Sequence, residues 1–261
     1  RNAVIMATAN ENDRNTLLLE ALNTSFREGF ESFQLWSGEA AKVLPALNWT
    51  LRWDGIEKLW FLKGIAQRIF LEHGYQSTYK ESATITDNGR VTDVQEVRTG
   101  FSPLIGLNLS FDERALEGML TATARYSITQ AHSLSGGARG VIQQENTHEL
   151  QIQASYLKRG MNLRFIGLEL KNDLEISLLT QMRKNIQARF EVDEYPFTQA
   201  RTVNGTTQLT IEPRARYTIS NRVTASAFIR YEGNFSEGAS TPGFSSTQFG
   251  VDIRLSISGG R

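Results

Sequence analysis

The chain of 261 residues has no cysteine. That removes disulfides, thiolate nucleophiles and zinc–thiolate sites together, and it is compatible with an oxidising envelope compartment. Long hydrophobic runs are missing as well. The longest candidate, residues 59–62, falls far short of the roughly twenty residues a membrane helix needs, and the mean hydropathy is -0.33. A helical membrane protein is excluded; a β-barrel is not, because alternation hides its lipid face from any hydropathy average. Nor is there an excess of either charge: 28 basic against 28 acidic residues give a net charge of zero. Nothing therefore points to a nucleic-acid partner or a polybasic membrane patch. The three histidines, His73, His132 and His148, lie in separate segments without ligand spacing, so no metal or other cofactor is expected. The glycine-rich stretch 135–140 lacks the lysine of a phosphate loop, and no serine stands in a nucleophile elbow. No catalytic residue is assigned, and the chain is not expected to be an enzyme.

What the sequence does contain is a two-residue period. It is clearest over 208–232, where Leu209, Ile211, Pro213, Ala215, Tyr217 and Ile219 alternate with Gln208, Thr210, Glu212, Arg214, Arg216 and Thr218. After Ser220 and Asn221 the alternation resumes with Val223, Ala225, Ala227, Ile229 and Tyr231. Strands apolar on one face and polar on the other have this period. Arms of about ten residues suffice to cross a bilayer when tilted.

The same alternation predicts strands over 47–53, 68–80, 91–111, 118–129, 147–157, from 173 onward and over 248–257, with Pro103 suggesting a bend or bulge. The total is about nine. Residues 1–43 read differently: Leu17, Leu18, Leu22, Phe26, Phe30 and Phe33 have helical spacing, and Asn12 or Asp13 can cap a helix over about 13–31. Two regions result, a helical or loop segment 1–43 and an all-β segment 44–261, read as antiparallel up-and-down strands of a transmembrane barrel. Arg1 is not an initiator methionine and no signal peptide follows it, so an exported form of this chain is expected to be a mature product or a fragment.

The polar faces carry Arg52, Arg125, Gln151, Arg214, Arg216, Arg230 and Arg254. So many guanidinium groups suit a wet lumen better than a dry interior. Leu107, Leu109, Ile152, Ala225, Val251 and Ile253 are the expected lipid-facing set, and Trp53, Phe111, Tyr126, Tyr156, Tyr217, Tyr231 and Phe249 the expected aromatic girdle. Glu149, Glu175, Glu212 and Asp252 are expected to balance arginines rather than to pair as a glycosidase couple. If the C-terminus is periplasmic, the short links at 112–117 and 220–221 are expected at the periplasmic end, and loops at 81–90, 130–146, 191–205 and 233–245 outside. Two longer inner links, 54–67 and 158–172, are expected to pack Trp60, Phe61 and Phe165 beneath the barrel. A soluble β sandwich or sheet with one wet face would show the same alternation.

Particular segments narrow this choice. LPALNWTLRWDGIEKL at 44–59, HGYQSTY at 73–79, FSPLIGLNLSF at 101–111 and LELKNDLEISL at 168–178 resemble, in the same order, the C-terminal part of the SprA (Sov) gliding-motility proteins. In that family proline directly precedes asparagine–tryptophan, whereas Ala46 and Leu47 intervene here. The resemblance implies the outer-membrane translocon of the type IX secretion system, a large barrel that conducts folded protein. It implies as partners outer-membrane lipid, upstream strands of the same barrel, secreted cargo and other secretion-system subunits, but no nucleic acid. Other readings are a self-contained small barrel (porin, adhesin or lipid-modifying enzyme) and a soluble carbohydrate-binding β protein.

Overall fold

The computed structural model describes residues 17, 21, 23–26, 48–60, 62–64, 66–86, 89–111, 113–135, 141–160, 162–163, 168–169, 172–191, 201–220, 222–236 and 242–256. Nine strands form one antiparallel sheet in which each strand neighbours the next in sequence. They are β1 (Trp49–Asp54), β2 (Ala66–Thr86), β3 (Gly89–Phe111), β4 (Met119–Ser135), β5 (Val141–Arg159), β8 (Asp173–Glu191), β9 (Arg201–Ser220), β10 (Val223–Ser236) and β11 (Phe244–Leu255). A two-stranded ribbon, β6 (Asn162–Leu163) with β7 (Leu168–Glu169), sits in the link between β5 and β8. The sheet is open, with β1 at one edge and β11 at the other.

The expected number of strands and their order agree with this fold, but most strands are longer than the alternation predicts. β2 and β3 have 21 and 23 residues, about twice what a tilted bilayer-crossing strand needs. Segments 81–86 and 89–90, expected in a loop, continue the β2–β3 ladder, with Thr86 opposite Gly89. Likewise Gln130 pairs with Asn146, and the β4–β5 ladder runs on to Ser135 opposite Val141. β10 extends to Ser236, and β11 begins at Phe244, inside the expected loop. These extensions carry polar residues on both faces, so the one-sided pattern that reveals a strand fades while the backbone pairing persists. The tip residues 87–88 and segments 136–140, 192–200 and 237–241 lie outside the described residues.

The bend or bulge expected at Pro103 is a break in register: the β3–β4 register shifts between Phe101 and Ile105, and the β2–β3 register shifts between Glu72 and Tyr75. Proline has no N–H to give the ladder, so pairing breaks where it stands. At the short-turn end a 3-10 turn, Ile56–Lys58, and a short helix, Glu113–Leu116, join strands. The expectation that Trp60 packs beneath a barrel fails: its side chain is 87 % exposed. Phe61 and Phe165 lie outside the described residues. Leu17, Ala21 and residues 23–26 are helical, as the N-terminal spacing predicts; the other residues of the expected 13–31 helix, and Leu47, fall outside the described residues.

Candidate functional site

Because paired residues share a face, the register shows how far each face extends. Trp53, Leu71, Leu107, Ala124, Ile152, Thr180, Ile211 and Tyr231 follow one another across eight strands in a single row. A neighbouring row holds Ile69, Leu109, Ala122, Ala154, Leu178 and Pro213. The apolar face is therefore continuous across the sheet. Among the described residues no second layer packs on it at the β11 edge: Phe249, Val251 and Ile253 are 80 %, 73 % and 71 % exposed. Apolar area of this extent and continuity exceeds what a water-soluble monomer normally leaves open.

The opposite face is polar and ion-paired. One row runs Arg52, Glu72, Gly106, Arg125, Gln151, Gln181 and Thr210. Arg125 reaches across β3 to Glu72, Nη2 donating to Oε2 at 3.1 Å. Gly106 lies between them, and a Cβ there would stand 3.2 Å from Glu72 Cβ, so a side chain would obstruct the crossing. On β9 and β10 the Glu212 carboxylate accepts from Arg214 at 2.8 Å and Arg230 at 2.6 Å. Both guanidinium groups also lie against the Phe228 ring, at 4.8 and 5.9 Å from its centroid. Arg216 faces Glu175 at 3.9 Å, and Ser155 Oγ donates to the same carboxylate at 2.9 Å. Glu175 and Glu212 are thus each engaged by arginine.

Further from the short turns this face opens into a polar cleft of about 330 Å³, lined by Glu96, Arg98, Ser133, Gln143, Glu145 and Gln187 among others. Asn185 Nδ2 donates to Glu145 Oε1 beside it. On the reverse side of the same segment Val97 and Leu134 are buried and His132 is half-buried; desolvation pushes the His132 imidazole below its usual pKa. At the short-turn end, the Ile69 amide donates to the Glu57 carboxylate at 3.1 Å and lowers its pKa. Lys158 donates to Glu117 at 2.8 Å, with the same direction of shift.

Of the expected wet-face set, Arg52, Arg125 and Gln151 share one row, and Arg214, Arg216 and Arg230 cluster about Glu212 and Glu175. Arg254 lies on the same face at the edge, across from Thr224. Leu107, Leu109, Ile152 and Ala225 sit half-buried among row neighbours on the apolar face, and Val251 and Ile253 are exposed on it. Among the expected girdle residues, Tyr156 Oη donates to the Leu116 carbonyl at 2.9 Å, and Tyr126 Oη shares a 2.9 Å hydrogen bond with His148 Nδ1. His73 Nδ1 donates to the Leu104 carbonyl at 2.7 Å, and among the described residues no group of histidine or carboxylate side chains could hold a metal. The cleft was missed, although polar residues at every second position, Glu96 and Arg98, Gln143 and Glu145, Gln187 and Arg189, were visible in the sequence. No protein-family model matches the chain, and no curated protein does either.

Proposed function

We propose that the nine strands form part of the wall of a large outer-membrane β-barrel, and that this barrel is a protein-conducting translocon of the type IX secretion kind. The observation that carries the wall reading is the pairing of one continuous apolar face with one continuous ion-paired face over nine strands. Lipid solvates the first face and water the second. The translocon reading rests on the segment resemblance alone. In it the polar wall solvates passing cargo without chemistry, and energy is supplied elsewhere.

β1 and β11 run in the same direction, since eight antiparallel steps separate them. Single-chain bacterial barrels close antiparallel with an even number of strands. Upstream strands of the same barrel would complete this wall; a small barrel made of the nine described strands alone would instead have to close through a parallel seam.

Two measurements test the two levels separately. With the short turns in the periplasm, Ser135→Cys should react with an impermeant thiol label on intact cells and Ser220→Cys should react only after lysis. Labelling of neither on intact cells, or of Ser220→Cys alone, defeats the orientation. Depleting the protein from its own cell should stop cargo from reaching the surface; undiminished export would sink the translocon and leave the wall standing.

A further inference from the structure

Among the described strands, most wet-face arginines are matched by acids. Arg52 pairs with Asp54, Arg125 with Glu72, Arg214 and Arg230 with Glu212, and Arg216 with Glu175. Arg183 stands in register with Glu149, an acid opposite it on the neighbouring strand, though among the described residues the two do not form an ion pair. On β11, however, Arg254 and Asp252 are exposed, and among the described residues neither has an ion-pair or hydrogen-bond partner. Their neighbours on β10 are Thr224 and Ser226. The other side of β11 is the open edge of the sheet. The edge of β1 differs, for Arg52 and Asp54 satisfy each other at 2.9 Å.

We infer that the open edge of β11 is built to receive one strand that runs antiparallel to it and carries an acidic residue level with Arg254, then a basic residue two positions later level with Asp252. Apolar residues alternate with these two and extend the face of Val251, Ile253 and Leu255. Cross-strand charge pairs and same-face apolar contacts are the units by which sheets select neighbours, and a strand left unpaired in hydrocarbon exposes a row of unsatisfied backbone groups. The placement of the charges on water's side rests on the wall reading; the order of the charges does not.

Two occupants from within the molecule fit less well. β1 of the same or a second copy in the same orientation runs parallel to β11 and offers six residues against twelve. β11 itself reads acid, apolar, base, so a second copy turned upside down satisfies the charges. The two sheets would then lie inverted relative to one another across the bilayer, which no membrane assembly of one orientation permits.

The test uses the detergent-solubilised chain and two labelled synthetic strands of thirteen alternating residues, one with glutamate followed two places on by arginine, the other with the two exchanged. Fluorescence anisotropy should show the first binding about tenfold tighter, the sum of two cross-strand charge pairs and their reversal. The double variant Asp252→Arg with Arg254→Glu should invert that preference, a result that misfolding cannot produce. Equal binding of both strands, or binding of neither, overturns the inference. So does a dimer of the free chain that the same double variant leaves intact and Ile253→Pro abolishes, for the occupant is then a second copy. None of these outcomes depends on lipid insertion, so failure here is distinct from failure of the wall reading.

Discussion

The half of the sheet nearest the short turns and the half towards the long hairpin tips obey one backbone rule and two side-chain rules. Near the short turns Leu107, Ala124 and Ile152 form an unbroken apolar row backed by Gly106, Arg125 and Gln151. Towards the tips the same ladders continue, but the row aligned with that apolar face holds Thr99, Gln130, Asn146 and Ile186, and its back holds Arg98, Ala131, Glu145 and Gln187. Hydrogen bonding between strands does not require a particular side chain, so pairing carries on after the side-chain pattern has changed. The boundary lies near the Pro103 bulge, where β2, β3 and β4 shift register together. On the proposed wall reading, it is the level at which the wall would leave hydrocarbon and stand in water.

The largest effect should come from placing a charge on the apolar face of the first half. Leu107→Arg or Ile152→Arg should cost roughly 2 to 4 kcal/mol near the bilayer midplane and prevent heat-resistant assembly. Gln130→Arg or Asn146→Arg, on the aligned face of the second half, should assemble as the parent does. Folding into lipid vesicles, followed by gel mobility, reads the difference. Equal tolerance at all four positions would erase the boundary and with it the lipid-facing assignment.

A smaller effect separates the charged pairs of the two halves from the apolar row. Arg125→Ser removes an exposed cross-strand pair with Glu72, and Arg98→Ala removes its 3.4 Å contact with Glu96 in the cleft. Exposed pairs contribute at most about 1 kcal/mol, so either variant should shift the unfolding midpoint only slightly. On the wall reading, Arg125→Ser should nevertheless alter the charge selectivity of any conductance, whereas Arg98→Ala, in the tip half, should not. A large loss of stability in Arg125→Ser would mean that this face is dry.

These two halves were unequally legible in the sequence. The nine strands, their order and the Pro103 bulge could be read because burial on one face only writes a period of two into the residues, as in 209–219 and 223–231. The tip extensions could not, since Gln143, Gln144, Glu145 and Asn146 are polar in succession and a run of this kind reads as loop. Which acid meets which arginine was equally hidden: Arg125 and Glu72 are 53 positions apart and on strands that are not neighbours. The neutrality of the wet face was readable from composition, but the imbalance at Arg254 and Asp252 needs the sheet order to be seen.

The smallest effect is a dependence on pH that should divide along the same boundary. His132, facing Val97 and Gln144 in register, has its pKa lowered by burial. A group with a depressed folded pKa contributes stability that is complete above its unfolded value and is lost as pH falls through the folded one. For a histidine that loss begins below about pH 6.5, and it belongs to the tip half. Glu57 and Glu117, held low by the Ile69 amide and by Lys158, follow the same sign, but as carboxylates they lose their contribution only below about pH 4.3, at the short-turn end. Hydrogen exchange followed peptide by peptide should therefore show the ladders around Leu134 loosening between neutral and mildly acid pH while those around Ile69 hold. The Ile69 region should follow in stronger acid. His132→Gln should abolish the first stage and leave the second unchanged, because the two sets of groups share no partner. Simultaneous loosening of both ends in the parent would mean that the sheet opens as one unit, and that the boundary is one of solvent but not of stability.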